Sequence, residues 1–316
     1  MFDWTSVVLL FPGQGSQQVG MGAQVAREFP AAAEVFAQAD ALLGYALSAL
    51  CFEGPAEKLD QTQYTQPALY VTGVAIFKAL EAINGSPIKP LAAAGHSLGE
   101  FTALTIAGAL PFEAGLKLVA ERGRLMAEAG EKNPGGMAAL LGASMDDARA
   151  ICEQSSAEIG HPVVIGNDNC PGQVVISGDN GAVDRALELA KARGIKRTIR
   201  LQVSVATHSP LMSAASADFR KALDAAPLSA PIIPVIGNAS AASLHTVEEI
   251  RAELNAQLVS TVRWTESVMA LQALGAKTFL ELGPKDVLTG LLKRIHKDAV
   301  GFALNTPEGL RQVVGG

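Results

Sequence analysis

The sequence predicts an α/β fold with a mostly parallel sheet, interrupted by a small α+β insert. Three observations carry this. Two strand-then-turn units, Val7–Phe11 and Thr278–Leu282, are each closed by a Gly/Pro turn and followed by helix-forming sequence, and the first is an unbroken apolar run, the pattern of a strand buried on both faces. Strand, loop and helix alternate along the outer segments. Between residues 131 and 203 the order changes to β-α-β-β-α-β, which is that of a ferredoxin-like unit.

In order, Val7–Phe11 is a strand ended by Pro12-Gly13. Ala23–Leu43 and Tyr64–Ala82 read as helices, Leu91–Ala94 as a short buried strand ending at Gly95, and Ser97–Leu110 as a helix. Asn133-Pro134-Gly135-Gly136 reads as a linker. The insert then gives strand 137–141, helix 146–158, strands 162–166 and 173–177 turned by Pro171-Gly172, helix 180–193 and strand 196–203. A late strand, 278–282, is expected to join the first sheet, followed by a helix from Val287 to His296. The expected organisation is a large domain, 1–130 with 204–316, and a small one, 131–203.

Composition narrows the function. Of 316 residues, 49% are apolar and 18% charged, with 31 glycines and 16 prolines, a globular composition with material for a large core. A formal charge of −6 argues against nucleic acid, which needs a positive surface. Cys51, Cys152 and Cys170 are odd in number and lack C-x-x-C spacing, which points to inert thiols in a reducing cytoplasm and no metal site. Cys152, His161 and Cys170 do not complete a first shell. No apolar run at the N-terminus is long enough for a signal or a membrane span.

Gly95-His96-Ser97-Leu98-Gly99 matches G-x-S-x-G and falls between a strand and a helix. Small flanking residues allow a sharp turn that exposes the Ser97 hydroxyl over a helix N-terminus, where free N–H groups favour a developing oxyanion. The alternative is a plain capping box, since Glu100 stands three residues on. A nucleophilic serine needs a base. Of the five histidines, His296 lies among Lys293, Arg294 and Lys297, His245 in a polar loop, His161 at the start of an insert strand, and His96 beside the serine. His208 follows the strand-like run 195–205 and precedes a helix start, so it belongs at the C-terminal end of a strand, where sites gather. No acid lies near it in sequence, so a dyad is as plausible as a triad.

Phe11-Pro12-Gly13-Gln14-Gly15-Ser16-Gln17 lacks the third glycine of a dinucleotide fingerprint and the Lys-Ser/Thr of a phosphate loop. It reads better as a loop approaching the nucleophile and giving a second oxyanion donor. Arg122 shares its helix face with Gly115, Leu118, Val119, Leu125 and Met126, opposite Lys117, Glu121, Arg124 and Glu128. A buried guanidinium must be paired, either with an internal carboxylate or with a carboxylate on a substrate.

Together these segments, with Glu281-Leu282-Gly283-Pro284 and the insert run from Asn167 to Ile176, resemble the malonyl-CoA:acyl carrier protein transacylases of bacterial fatty acid synthesis over nearly the whole chain. The resemblance implies a hydrolase-like core with a ferredoxin-like insert and malonyl transfer by a ping-pong route. It implies Ser97 as nucleophile, His208 as base and acid, and the Gln14 and Leu98 N–H groups as oxyanion hole. Arg122 would bind the malonyl carboxylate, His96 and Asn167 would line the substrate site, and the Gln257 carbonyl would orient His208. It further implies malonyl-CoA and CoA as substrate and product with no bound cofactor, an acidic acyl carrier protein as transient partner, and a cytoplasmic monomer. Ser260-Thr261 stands where relatives commonly have Asn-Pro, and Ala206-Thr207 where they often have Pro-Ser. A carrier protein would need a local positive patch, either Lys191, Arg193, Lys196, Arg197 and Arg200, or Lys293, Arg294 and Lys297. Two other classes remain open: an esterase or thioesterase, and a non-catalytic docking module.

Overall fold

The structure is a computed structural model describing residues 3–203 and 205–315. Its strands are, in chain order, β1 (Val7–Phe11), β2 (Ala92–Gly95), β3 (Gly135–Leu141), β4 (Val163–Cys170), β5 (Gln173–Asp179), β6 (Arg197–Arg200), β7 (Val235–Ile236), β8 (Ser243–Leu244), β9 (Val262–Arg263), β10 (Thr278–Leu282) and β11 (Val300–Leu304). A six-stranded sheet runs β11-β10-β1-β2-β7-β8, parallel except for the last pair. A five-stranded sheet runs β6-β3-β5-β4-β9, antiparallel except where β9 joins β4.

The unbroken apolar run of β1 follows from its place in the middle of the first sheet. Val7, Leu9 and Phe11 face one core, which includes the long helix Thr62–Asn84. Val8 and Leu10 face another, with Trp264, Val268 and Leu288. Alternate side chains point to opposite faces of a strand, so covering both faces demands apolar residues throughout. The late strand β10 pairs with β1, Val8 opposite Phe279, as the sequence predicts.

Several expected elements change at their ends. The helix expected over 23–43 is two helices, Ala23–Glu28 and Pro30–Leu43. Pro30 cannot donate to the turn before it and disfavours helical backbone at Phe29, which is extended. The helix expected from Ser97 runs only over Gly99–Ile106, with Ser97 outside it in a left-handed conformation. Gly135 and Gly136, read as linker, begin β3. A Cβ on Gly135 would lie 2.7 Å from both Ala206 Cβ and the Gly178 oxygen, so glycine there serves close packing, not freedom. The strand expected over 196–203 is only β6, and β4 extends past its expected end to Cys170 through two register shifts.

The parallel strands bring three loops to one edge. Those after β1, β2 and β7 carry Gln14, Ser97 and Asn238, and β9 sets Val262 opposite Asn167 of β4.

Candidate active site

Ser97 has φ 51°, which costs a non-glycine residue about 1–2 kcal/mol. The neighbours leave little choice. A Cβ on Gly95 would overlap the Gly99 backbone, and one on Gly99 would overlap the Phe11 carbonyl. The capping box does not form. The Ser97 hydroxyl faces His208 and Arg122, while Glu100 accepts from the Asn238 N–H at 3.2 Å and Gln257 Nε2 at 2.8 Å.

His208 Nε2 lies 2.9 Å from Ser97 Oγ, and His208 Nδ1 lies 2.7 Å from the Gln257 carbonyl oxygen. A carbonyl only accepts, so the proton resides on Nδ1 and Nε2 presents its lone pair to the hydroxyl. Burial, and after it the Arg122 charge, push the His208 pKa down to about 3, which keeps the imidazole neutral. Its own φ of 65° is held by an N–H bond to the Leu258 carbonyl at 2.9 Å.

Arg122 is 2% exposed. Nη1 donates to Gln66 Oε1 at 2.8 Å, and Nη2 donates to Gln257 Oε1 and Ser97 Oγ, both at 3.0 Å. Nε has no partner among the described residues, and the guanidinium carbon sits 5.7 Å from the Phe101 ring centroid. Burial lowers the Arg122 pKa to about 10, leaving it charged at neutral pH. Among the described residues the internal carboxylate expected as one alternative does not bond it: its partners are amide and hydroxyl oxygens. Glu100 acts on it only at a distance, and burial raises that carboxyl well above its ordinary value.

A 90 Å³ cavity brings together Gln14, His96, Ser97, Leu98, Arg122, Asn167 and His208, with Met126, Met137 and Leu201 as apolar wall. The loop after β1 comes close to the serine turn, since a Cβ on Gly13 would overlap the His96 carbonyl oxygen. Neither the Gln14 N–H nor the Leu98 N–H finds an acceptor among the described residues. Asn167 Oδ1 is buried without a partner among the described residues. His96 Nε2 meets Asn169 Oδ1 at 2.9 Å, and the ring packs 5.5 Å from that of Trp264. Gln257 lies behind the cavity, with its side chain also donating to the Ser97 carbonyl at 2.9 Å.

Two residues at the site carried no signal in the sequence: Gln66, which grips Arg122, and Asn238, which bonds the backbone on both sides of His96. Single amides in long segments have no spacing to betray them. Of the two departures, Thr261 donates to the Ile165 carbonyl at 2.7 Å, tying β9 to β4, and Thr207 lines the cavity. Among the described residues no group of three or more His, Cys, Asp and Glu could hold a metal ion. None of their helices is long and apolar enough to cross a membrane.

A strained serine on a strand-to-helix turn, with a neutral imidazole at hydrogen-bond distance, is the apparatus of serine-based acyl chemistry. The chain belongs to the acyl transferase domain family, whose profile matches residues 8–308. It is 42% identical over 310 residues to the malonyl CoA-acyl carrier protein transacylase of Bacillus subtilis, covering 98% of this chain and 96% of that protein. It is also 42% identical to the Escherichia coli K12 protein of the same name, over 97% and 98% of the two chains. The malonyl CoA-acyl carrier protein transacylase structure from Coxiella burnetii superposes with a TM-score of 0.95 at 42% identity, covering 100% of this chain and 98% of that one. A malonyl-transacylase solved with its type II polyketide acyl-carrier protein gives 0.94 at 39% identity, over 98% and 99% of the chains.

Proposed function

We propose that the protein is a malonyl-CoA:acyl carrier protein transacylase of fatty acid synthesis. The observation that carries this reading is the buried Arg122 cation, 3.0 Å from Ser97 Oγ and without a hydrogen-bonded carboxylate among the described residues. A carboxylate-bearing acyl group on the serine would complete it. An esterase or thioesterase for simple acyl groups has no need of that charge, and a docking module has no need of the serine–imidazole pair.

Ser97 Oγ attacks the thioester carbonyl as His208 Nε2 takes its proton. The Gln257 carbonyl holds the imidazolium in place, and the oxyanion accepts from the Leu98 and Gln14 N–H groups. Collapse breaks the C–S bond, and His208 returns the proton to the CoA sulfur. A carrier-protein pantetheine thiol then enters, gives its proton to His208 and attacks the serine ester; Ser97 leaves with that proton. Thioester and ester exchange at one oxidation level, so no redox cofactor takes part. Malonate on Arg122 would also offset the cation that depresses His208, making the base stronger when substrate is in place. Asn167 and His96 complete the substrate wall.

The fold reading belongs to the same proposal: a hydrolase-like core, 1–130 with 204–316, carrying a ferredoxin-like subdomain, 131–203, in a cytoplasmic monomer. The acidic carrier would dock on exposed cations. Arg193 is engaged by Gln154, Arg200 by Asp184 and Arg294 by Gln173, which leaves Lys191, Lys196 and Arg197, or Lys293 and Lys297, for that role. Loading assays with malonyl-CoA and acetyl-CoA on wild type and Ser97→Ala test the reading. Serine-dependent malonylation discharged by carrier protein supports it, and CoA release into water without a persistent adduct would replace it by the hydrolase.

A further inference from the structure

Taking Ser97 as the acylated nucleophile, as above, we propose that Asn238 is a positioning residue. Its carboxamide holds the serine turn in shape by standing in for one more rung of the parallel sheet.

Strands β2 and β7 are parallel neighbours, with Ala94 opposite Ile236. Two residues further along, the ladder would set His96 opposite Asn238, but there the backbone has to leave the sheet for the serine turn. The Asn238 side chain spans the gap. Nδ2 donates to the Gly95 carbonyl at 2.7 Å, and Oδ1 accepts from the Ser97 N–H at 2.6 Å. A parallel partner's backbone would make the same two bonds, one on each side of His96.

Asn238 is itself fixed. It is fully buried, its N–H donates to Glu100 and its carbonyl accepts from the Arg263 N–H at 2.9 Å. A Cβ on the preceding Gly237 would lie 2.5 Å from Glu253 Cδ, so the loop is packed in place. The Ser97 carbonyl is held by Gln257 Nε2. Both peptide groups of the left-handed serine are therefore bound by carboxamides, and a disfavoured conformation persists only where its surroundings over-determine it. With the Ser97 N–H committed to Asn238, the next N–H, that of Leu98, remains for an incoming oxygen.

The pair of bonds asks for one donor and one acceptor on a planar group. A carboxylate has no donor for the Gly95 carbonyl, whereas a protonated carboxyl has both functions. Asn238→Asp thus makes the clamp depend on pH, a readout that a merely structural role would not move.

The test is single-turnover acylation of Ser97 by mass spectrometry, with rates taken per folded molecule from circular dichroism. Asn238→Ala is expected to slow malonyl and acetyl loading alike, by about 100-fold. Half-saturation by malonyl-CoA should stay within about threefold of wild type, because Arg122 is untouched. Asn238→Asp should approach wild-type rates at low pH and lose them as the introduced carboxyl ionises. Asn238→Ala loading at the wild-type rate, or Asn238→Asp following the wild-type pH profile, would overturn the proposal. If Asn238→Ala does not fold, the Asn238→Asp profile decides alone. Should wild type itself not be malonylated, the transacylase reading fails. Labelling of Ser97 by a phosphonofluoridate in wild type and variants then still reads the turn, so the two failures are distinct.

Discussion

Replacing Arg122 by alanine removes a guanidinium that is 2% exposed and held by Gln66 Oε1, Gln257 Oε1 and Ser97 Oγ. A malonyl carboxylate entering the variant would lie buried beside neutral amides. Leaving one charge of a buried pair without its partner costs about 3–5 kcal/mol. At about 1.4 kcal/mol per decade, kcat/KM for malonyl-CoA should fall by roughly 100-fold to 3000-fold. Acetyl has no carboxylate and loses only the hydrogen bond from Nη2 to Ser97 Oγ, about 1 kcal/mol or several-fold. The preference for malonyl over acetyl should therefore drop by roughly 20-fold to 600-fold. Mixing both thioesters with enzyme and reading the two Ser97 adducts by intact-protein mass spectrometry measures that ratio directly. Equal losses for the two acyl groups would refute the carboxylate-binding role of Arg122.

Other consequences follow from the same geometry. Arg122 is the second cause, after burial, of the low His208 pKa, so Arg122→Met should move the acidic limb of acetyl loading to higher pH; an unmoved limb in a pH–rate series would contradict this. Glu100 has a pKa raised above its ordinary 4.5 by burial first and Glu253 second. A raised folded pKa contributes stability that is present below the unfolded value and lost as pH rises toward the folded one. Glu100→Gln should lack that decline, so its melting temperature relative to wild type should climb as pH increases above 4.5; parallel melting curves would count against a raised pKa at Glu100. Gly99→Ala forces a Cβ into the Phe11 carbonyl and should cost about 3 kcal/mol, measured by denaturant unfolding, with an unchanged midpoint as the contrary result.

The sequence is most informative where chemistry and periodicity coincide. Val7–Phe11 is apolar throughout because both faces of β1 are covered, and that marks the parallel core; in Thr278–Leu282 the buried Glu281 breaks the apolar run and accepts from the Leu288 and Thr289 N–H groups. Gly95 and Gly99 mark the serine turn because no side chain fits at either place. Arg122 stands out as a cation on an apolar face, although the sequence cannot say whether a carboxylate already waits for it. By contrast, β7, β8 and β9 have two residues each, too few for any alternation to register. The pairing of β9 with β4 depends on how two distant segments meet. Gln66 lies in a helix whose face looks ordinary, and Asn238 is one polar residue in an irregular loop. The Ser97-x-x-Glu100 spacing also fits a cap, although a cap does not require glycines on both sides, and the tertiary contacts of Glu100 with Asn238 and Gln257 decide against it.

Intact-protein mass spectrometry of wild type and Ser97→Ala after mixing with malonyl-CoA, followed by addition of pantetheinylated carrier protein, bears most directly on the proposed transacylation. The expected result is a malonyl adduct on wild type alone, stable in water and transferred quantitatively to the carrier thiol. An adduct of equal yield on Ser97→Ala, or wild type that releases CoA without ever holding the acyl group, would contradict transfer through a Ser97 ester.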